Sequence, residues 1–216
     1  MKKLIALLIG IFYLGSYAEA QIIPRVELEE YAKEHYGETW KQAAKNLMDQ
    51  LKLDKDGALS FSRVVESPGK SVSELYVLLN YWFVTTFNDA NSVVQLSDKE
   101  LGVIIATGYL PKIATHDAFR SYSVAINPVV RIDVKDERTR ITLTIPYYTI
   151  TKYLGQYGTY SNKQTINNSY PLNKKDNRKN TSSKALVMSH AYANVIMDRI
   201  EHIIHEGAVG NESQDW

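Results

Sequence analysis

The sequence predicts an α+β protein, an antiparallel sheet covered by helices, and three observations carry that prediction. Apolar residues recur at helical spacing early in the chain, between Ser71 and Phe83, and near the C-terminal end. From Val93 to Ile150 the hydrophobic period becomes that of strands, broken by turn residues. The resulting order, α-β-α-β-β-β-β-α, groups strands together rather than alternating each with a helix, which favours antiparallel pairing. Composition permits such a core: of 216 residues, 44% are hydrophobic, 23% charged and 11% aromatic. These are ordinary globular proportions. Eleven glycines and six prolines are too few for a low-complexity polymer.

An acidic, polar stretch runs around Glu27 to Glu38. Trp40, Ala43, Ala44, Leu47 and Leu51 then mark a helix with Thr39 as its N-cap. Asp54-Lys-Asp-Gly57 supplies the stop and turn. Leu59, Phe61, Arg63 and Val65 alternate with Ser60, Ser62 and Val64 as one strand, ended by Ser67-Pro-Gly69. Ser71-Val-Ser-Glu74 is a capping box opening a helix whose stripe is Leu75, Leu78, Leu79, Trp82 and Phe83.

Four further strands are expected at Val93 to Leu96, Leu101 to Tyr109, Tyr122 to Val134 and Thr139 to Ile150. A two-residue turn at Asp136-Glu137 sets the register of the last pair. It places Val134 opposite Thr139, Ile132 opposite Ile141 and Val130 opposite Leu143 on the core face. Asp133 opposite Arg140 and Arg131 opposite Thr142 share the other face, so both faces are chemically consistent. Residues Gly155 to Ser183 are polar and turn-rich, too long for an ordinary connection. A last helix is expected from about Lys184 to Glu206.

The first twenty residues carry the pattern of a secretory signal. Lys2 and Lys3 precede an apolar run from Leu4 to Gly15, and Ala18-Glu19-Ala20 supplies an A-x-A cleavage site before Gln21. Twelve helical residues span about 18 Å, short of a hydrocarbon core of about 30 Å. The expected organisation is a signal peptide at 1–20, a polar segment and helix at 21–57, one α+β domain at 58–206 and a flexible tail at 207–216. From 25 basic and 24 acidic residues, loss of Lys2, Lys3 and Glu19 leaves 23 of each. A neutral exported chain lacks the footprint of a general nucleic-acid binder. With no cysteine, disulfides, thiol nucleophiles, zinc–thiolate sites and a thioether lipid anchor are excluded.

Three short signatures add a resemblance. They are Ser67-Pro-Gly-Lys-Ser71 with Glu74-Leu75-Tyr76, Gln95-Leu-Ser-Asp-Lys-Glu-Leu-Gly102, and Val134-Lys-Asp-Glu-Arg138-Thr-Arg140. In this order and spacing, roughly over Ala58 to Tyr148, they resemble the bacterial domain-of-unknown-function family 4468, exported proteins with a TATA-binding-protein-like fold. The resemblance implies a curved antiparallel sheet of about five strands with helices packed on one face. It implies no activity, cofactor or catalytic residue. Where Glu137 stands the family usually shows glycine, so the chain departs from the pattern at that turn.

Several mechanisms fail on their residue patterns. Gly69-Lys70-Ser71 sits between strand and helix, but a phosphate-binding loop needs glycine where Val64 stands, and Glu66 adds repulsion. On the last helix, His202 and His205 lie one turn apart beside Asp198 and Glu201, on a polar face shared with His190 and Asn194. Solvation explains such a face, and a working zinc site wants three protein ligands. There is no G-x-S-x-G, His116-Asp117 has no identifiable serine partner, and no pair of carboxylates has glycosidase spacing. No catalytic residue, metal ligand or cofactor site is therefore expected.

Two features remain. Lys174, Lys175, Arg178, Lys179 and Lys184 form a basic run able to meet an anionic surface or glycan. Fifteen tyrosines include Tyr147, Tyr148, Tyr153, Tyr157 and Tyr160, set among Thr, Gly, Asn and Ser. That mixture suits recognition loops, although tyrosines at strand ends also lid cores, and Tyr147 and Tyr148 should face opposite ways. The candidate ligand-binding residues are Tyr153, Tyr157 and Tyr160. The expected function is a non-catalytic binding or structural module of the cell envelope, periplasmic and not lipid-anchored, whose partner is a protein, peptide or glycan. A small envelope hydrolase with an unrecognised site is the alternative.

Overall fold

The computed structural model describes residues 23–86, 93–117 and 121–207; the expected signal peptide lies outside them. Helices α1 (Arg25–Tyr36) and α2 (Trp40–Asn46) precede strand β1 (Leu59–Glu66) and helix α3 (Val72–Thr86). Eight strands follow: β2 (Val94–Asp98), β3 (Val103–Thr107), β4 (Leu110–His116), β5 (Tyr122–Ile126), β6 (Val129–Lys135), β7 (Arg138–Ile145), β8 (Tyr148–Tyr153) and β9 (Thr159–Gln164). Helix α4 (Lys179–Glu206) closes the fold. No helix among the described residues is long and apolar enough to cross a membrane.

The strands form two antiparallel sheets, one of order β1-β7-β6-β3-β2 and one of order β4-β5-β8-β9. The α+β class and antiparallel pairing stand as expected, while the count of about five strands needs correction. Tyr122 to Val134 is two strands, because Asn127-Pro128 interrupts the ladder. Thr139 to Ile150 divides likewise at Pro146, and each division hands the chain from one sheet to the other. Leu110 to His116 pairs despite Pro111, with a register shift between Leu110 and Ala114 where Lys112 takes φ 50°. The polar segment after Gly155 contains β9, which lies on the β8 edge.

The five-stranded sheet has the register expected from its hairpin, residue for residue. Ile132, Ile141, Leu143 and Thr139 are fully buried, whereas Arg131 and Arg140 lie outside against Asp133, at 2.7 and 3.2 Å. Hydrogen bonding from Arg131, then from Arg140, holds the Asp133 carboxyl below the usual range despite partial burial. Glu137 takes a left-handed turn position, φ 61°. Its backbone compensates through bonds tying the turn to the β1–α3 loop: Ser67 N–H donates to Glu137 O, and Glu137 N–H to Lys70 O. Gly102 is glycine for a harder reason, since a Cβ there would stand 2.6 Å from the Val134 carbonyl.

Helices cover the inner faces. The α3 helix packs on β6, and α4 packs on β1, β7 and β4, joining both sheets. The capping box forms, with Ser71 N–H donating to Glu74 Oε2 at 2.8 Å. Thr39 occupies the N-cap position of α2 without a side-chain cap. The acidic stretch near residue 27 is helix α1, which buries Leu28 and Ala32 against α4. Helix α4 begins at Lys179 rather than Lys184. Its Thr-Ser-Ser start looked loop-like, but Ser183 and Ser189 donate to carbonyls one turn back and can be buried.

Candidate functional site

The four-stranded sheet carries one cross-strand row, His116–Tyr122–Lys152–Tyr160, each residue directly opposite the next. Directly paired residues share a face, and this face continues inward through buried Val124, Ile126, Tyr148 and Ile150. At the row the apolar face ends and the first turn of α4 begins. Between them lies a cavity of about 950 Å³, with Lys41 of α2 at its rim. Lys152, Arg178 and Lys179 line it with Tyr122 and Tyr153, and among the described residues no aspartate or glutamate does. Helix α4 has no side-chain cap from Arg178 itself and no acid in its first turn.

One buried acid fixes the geometry from behind. Asp176, 7% exposed, accepts from Ser182 Oγ at 2.6 Å, from the Tyr170 and Arg178 amides at 3.1 and 3.0 Å, and from Arg178 Nε at 3.2 Å. Burial pushes its carboxyl up, but the Ser182, Arg178 and Tyr170 bonds and the Arg178 charge outweigh it, leaving the pKa below the usual range. Arg178 also donates to Gln164 at 2.6 Å and lies 6.0 Å from the Tyr122 ring centre, so it is a fixed part of the wall. Burial first, moderated by a hydrogen bond with Thr181, raises the Tyr122 phenol. His116 stacks on the same ring, centroids 5.2 Å apart.

Tyr153 lines the cavity, is 40% exposed and hydrogen-bonds Ser123 at 3.2 Å. Tyr160, 57% exposed, stands beside Lys152 in the row, while Tyr157, 81% exposed, is not among the lining residues. Tyr148 is a core residue, and Tyr147 lies on the other face under Lys163. The basic run does not act as one patch. Arg178 and Lys179 enter the cleft, Lys174 and Lys175 are exposed outside it, and Lys184 pairs with Glu29 at 2.8 Å. Lys41, His116, Tyr122 and Lys152 escaped the sequence reading because only the β5–β8–β9 pairing and the α4 start bring them together.

Other candidates are structurally committed. Amides of Gly69, Ser71 and Val72 donate to Glu137, Glu74 and Asp136, so carboxylates fill the loop that a phosphate would need. Lys70 Nζ donates to the Ile204 carbonyl at the end of α4. Asp198 and Glu201 both accept from Arg63, at 2.6 and 2.7 Å. His190 is not on a solvated face: it is buried beside Phe61, with Nδ1 2.8 Å from the Tyr36 hydroxyl and 3.1 Å from Asn194. Burial lowers its pKa. Among the described residues, no three histidine or acidic side chains converge as metal ligands.

Residues 61–149 match the family model described as a domain of unknown function (DUF4468) with TBP-like fold. Among solved structures, a TBP-like protein from Parabacteroides distasonis is similar at 16% identity and a TM-score of 0.51, covering 70% of this chain and 95% of that one. A DUF4468 family protein from Bacteroides ovatus shares 15% identity over 71% of this chain and 91% of its own, with a TM-score of 0.46. The first likeness establishes the fold alone. No curated protein matches the chain.

Proposed function

Starting from a DUF4468 domain with TBP-like fold at residues 61–149, we propose that this chain is an exported, non-catalytic binding module of the cell envelope whose contact face is the cleft at the start of α4. One observation carries this reading: the cleft gathers lysines, an arginine, exposed tyrosine and side-chain amides without a carboxylate. Such a lining favours binding: among the described residues it holds no carboxylate, and its histidine, His116, is stacked on the Tyr122 ring. The two buried groups that might have formed an acid–base pair, Asp176 and His190, are held in hydrogen bonds that build the scaffold. The matched stretch supplies His116 and Tyr122, whereas Lys41, Lys152, Arg178 and Lys179 lie beyond it. The Lys2-Lys3 start, short apolar run and Ala18-Glu19-Ala20 support export.

The test is expression in a Gram-negative host, followed by fractionation and N-terminal sequencing. The mature chain should begin at Gln21 and co-sediment with envelope material. The double variant Lys152→Glu, Tyr153→Ala should stay in the soluble periplasmic fraction with its melting temperature little changed. Retention in the cytoplasm, or equal sedimentation of both proteins, would overturn the reading.

A further inference from the structure

We infer that the cleft at the start of α4 binds an acidic oligosaccharide, a sugar chain bearing carboxylate or phosphate groups; this rests on the proposed binding role. Charge is the first argument. Without its expected leader the chain has equal numbers of acidic and basic residues, yet every formal charge lining this cleft is positive. Lys41 and Lys152 form no ion pair among the described residues, and Lys179 meets only the Tyr170 ring, at 5.7 Å. Arg178 is paired with Asp176 from behind, but Lys41, Lys152 and Lys179 have no carboxylate partner among the described residues, and an anion between them relieves their mutual repulsion.

Size and polar lining argue for a sugar rather than a lone ion. A volume of about 950 Å³ is at the upper end for ligand pockets, which run to about 1,000 Å³. The side-chain amides of Asn177 and Asn180 line it and hydrogen-bond nothing among the described residues. Each offers two donors and an acceptor, the complement of vicinal hydroxyls. Tyr153, its hydroxyl held by Ser123, leaves ring surface exposed for the apolar face of a pyranose. Tyr160 adds a second exposed ring, beside Lys152 in the cross-strand row. An extended peptide would seek an open strand edge, and nucleic acid a longer basic track. This site is instead a cleft between a helix end and the ends of strands β4, β5 and β8.

Calorimetry on the 21–216 chain with an oligogalacturonate, the same oligomer with its carboxyls reduced to alcohols, inorganic phosphate and a short DNA strand tests this. The acidic oligomer should bind at least about tenfold tighter than its reduced form. Binding should weaken at least about tenfold from 0.1 M to 1 M salt, as the Debye length falls from about 10 to about 3 Å. Both Lys152→Glu and Asn180→Ala should weaken it, the second without changing the salt dependence. Equal binding of the reduced oligomer, lost in Tyr153→Ala, would overturn the acidic specificity and leave the binding module standing. Phosphate alone competing as well as the oligomer, or the DNA strand binding tighter, would overturn the sugar assignment. Binding of none of the four at millimolar concentration would overturn the inference, while envelope sedimentation separately decides the parent reading.

Discussion

The two sheets share one core and one long helix but divide the work differently. In the five-stranded sheet, apolar residues face inward and the outer face pairs Asp133 with Arg131 and Arg140. In the four-stranded sheet the inward face changes character along its length, from buried Ile126, Tyr148 and Ile150 to the His116–Tyr122–Lys152–Tyr160 row. The first sheet shares one carboxylate between two arginines. The second leaves lysines and tyrosines at a cleft where α4 begins. On the proposed reading, recognition is assigned to the second sheet, whose cleft gathers aromatic rings, amides and cations in one concave site.

The largest expected effect breaks the first sheet. Ile132→Asp or Ile141→Asp places an unpaired charge in a fully buried position and should cost several kcal/mol. Thr142→Ala, on the opposite face, should cost about 0.5 kcal/mol or less. Arg131→Ala should stay within about 1 kcal/mol, because an exposed ion pair contributes little. Urea denaturation of these variants reads the contrast directly, and reversed sensitivities would mean a register one residue away.

An intermediate effect tests how the cleft is held. Asp176 gathers two amides, a hydroxyl and Arg178, so Asp176→Asn should cost about 2 kcal/mol. The pH dependence has a definite sign. The folded-state pKa lies below the unfolded value of about 3.9, so the unfolded chain binds more protons in the interval between them. The stabilisation is present above about pH 3.9 and disappears as pH falls through the folded value. Thermal melts from pH 6 to pH 2 should show a steeper acid decline for the wild type than for Asp176→Asn. Parallel curves would mean that the acid does not anchor the loop.

The same contrast explains what could be read from the sequence. The β6–β7 hairpin was legible because both faces obey local alternation and the turn joins neighbouring strands. The Ser71–Glu74 capping box was legible for the same local reason. The second sheet was obscured by Pro111, Pro128 and Pro146, which mark crossings between sheets yet read as ordinary turns or strand interior. Strand β9, Thr-Tyr-Ser-Asn-Lys-Gln, has no apolar face at all, since it pairs at an edge and buries little. His190 looked solvated because its wheel neighbours are polar; helix α1, itself unrecognised in a charged stretch, covers it. Of the candidate site, the tyrosines and two of the basic residues could be named from local composition. Their convergence with Lys41 and Lys152 is a property of topology.

The smallest expected effect decides whether the second sheet's tyrosines belong to the core. Tyr153, Tyr157 and Tyr160 are 40%, 81% and 57% exposed, so Tyr157 and Tyr160 already meet water over most of their surface and Tyr153 over a large part of it. Their joint replacement by alanine removes little buried surface, and the Tyr153–Ser123 bond at 3.2 Å is a partly exposed neutral one. The loss should total about 1 kcal/mol or less, a fall of about 2–4 °C for a chain of this size. Binding of the acidic oligomer should nevertheless fall at least about tenfold, through Tyr153 and Tyr160, and restoring Tyr157 alone should recover nothing. Differential scanning calorimetry beside the titration separates the two roles. A drop well beyond 4 °C would make these rings a lid on the core and leave recognition to the lysines and the α4 start. An unchanged affinity would remove tyrosine from the contact face altogether.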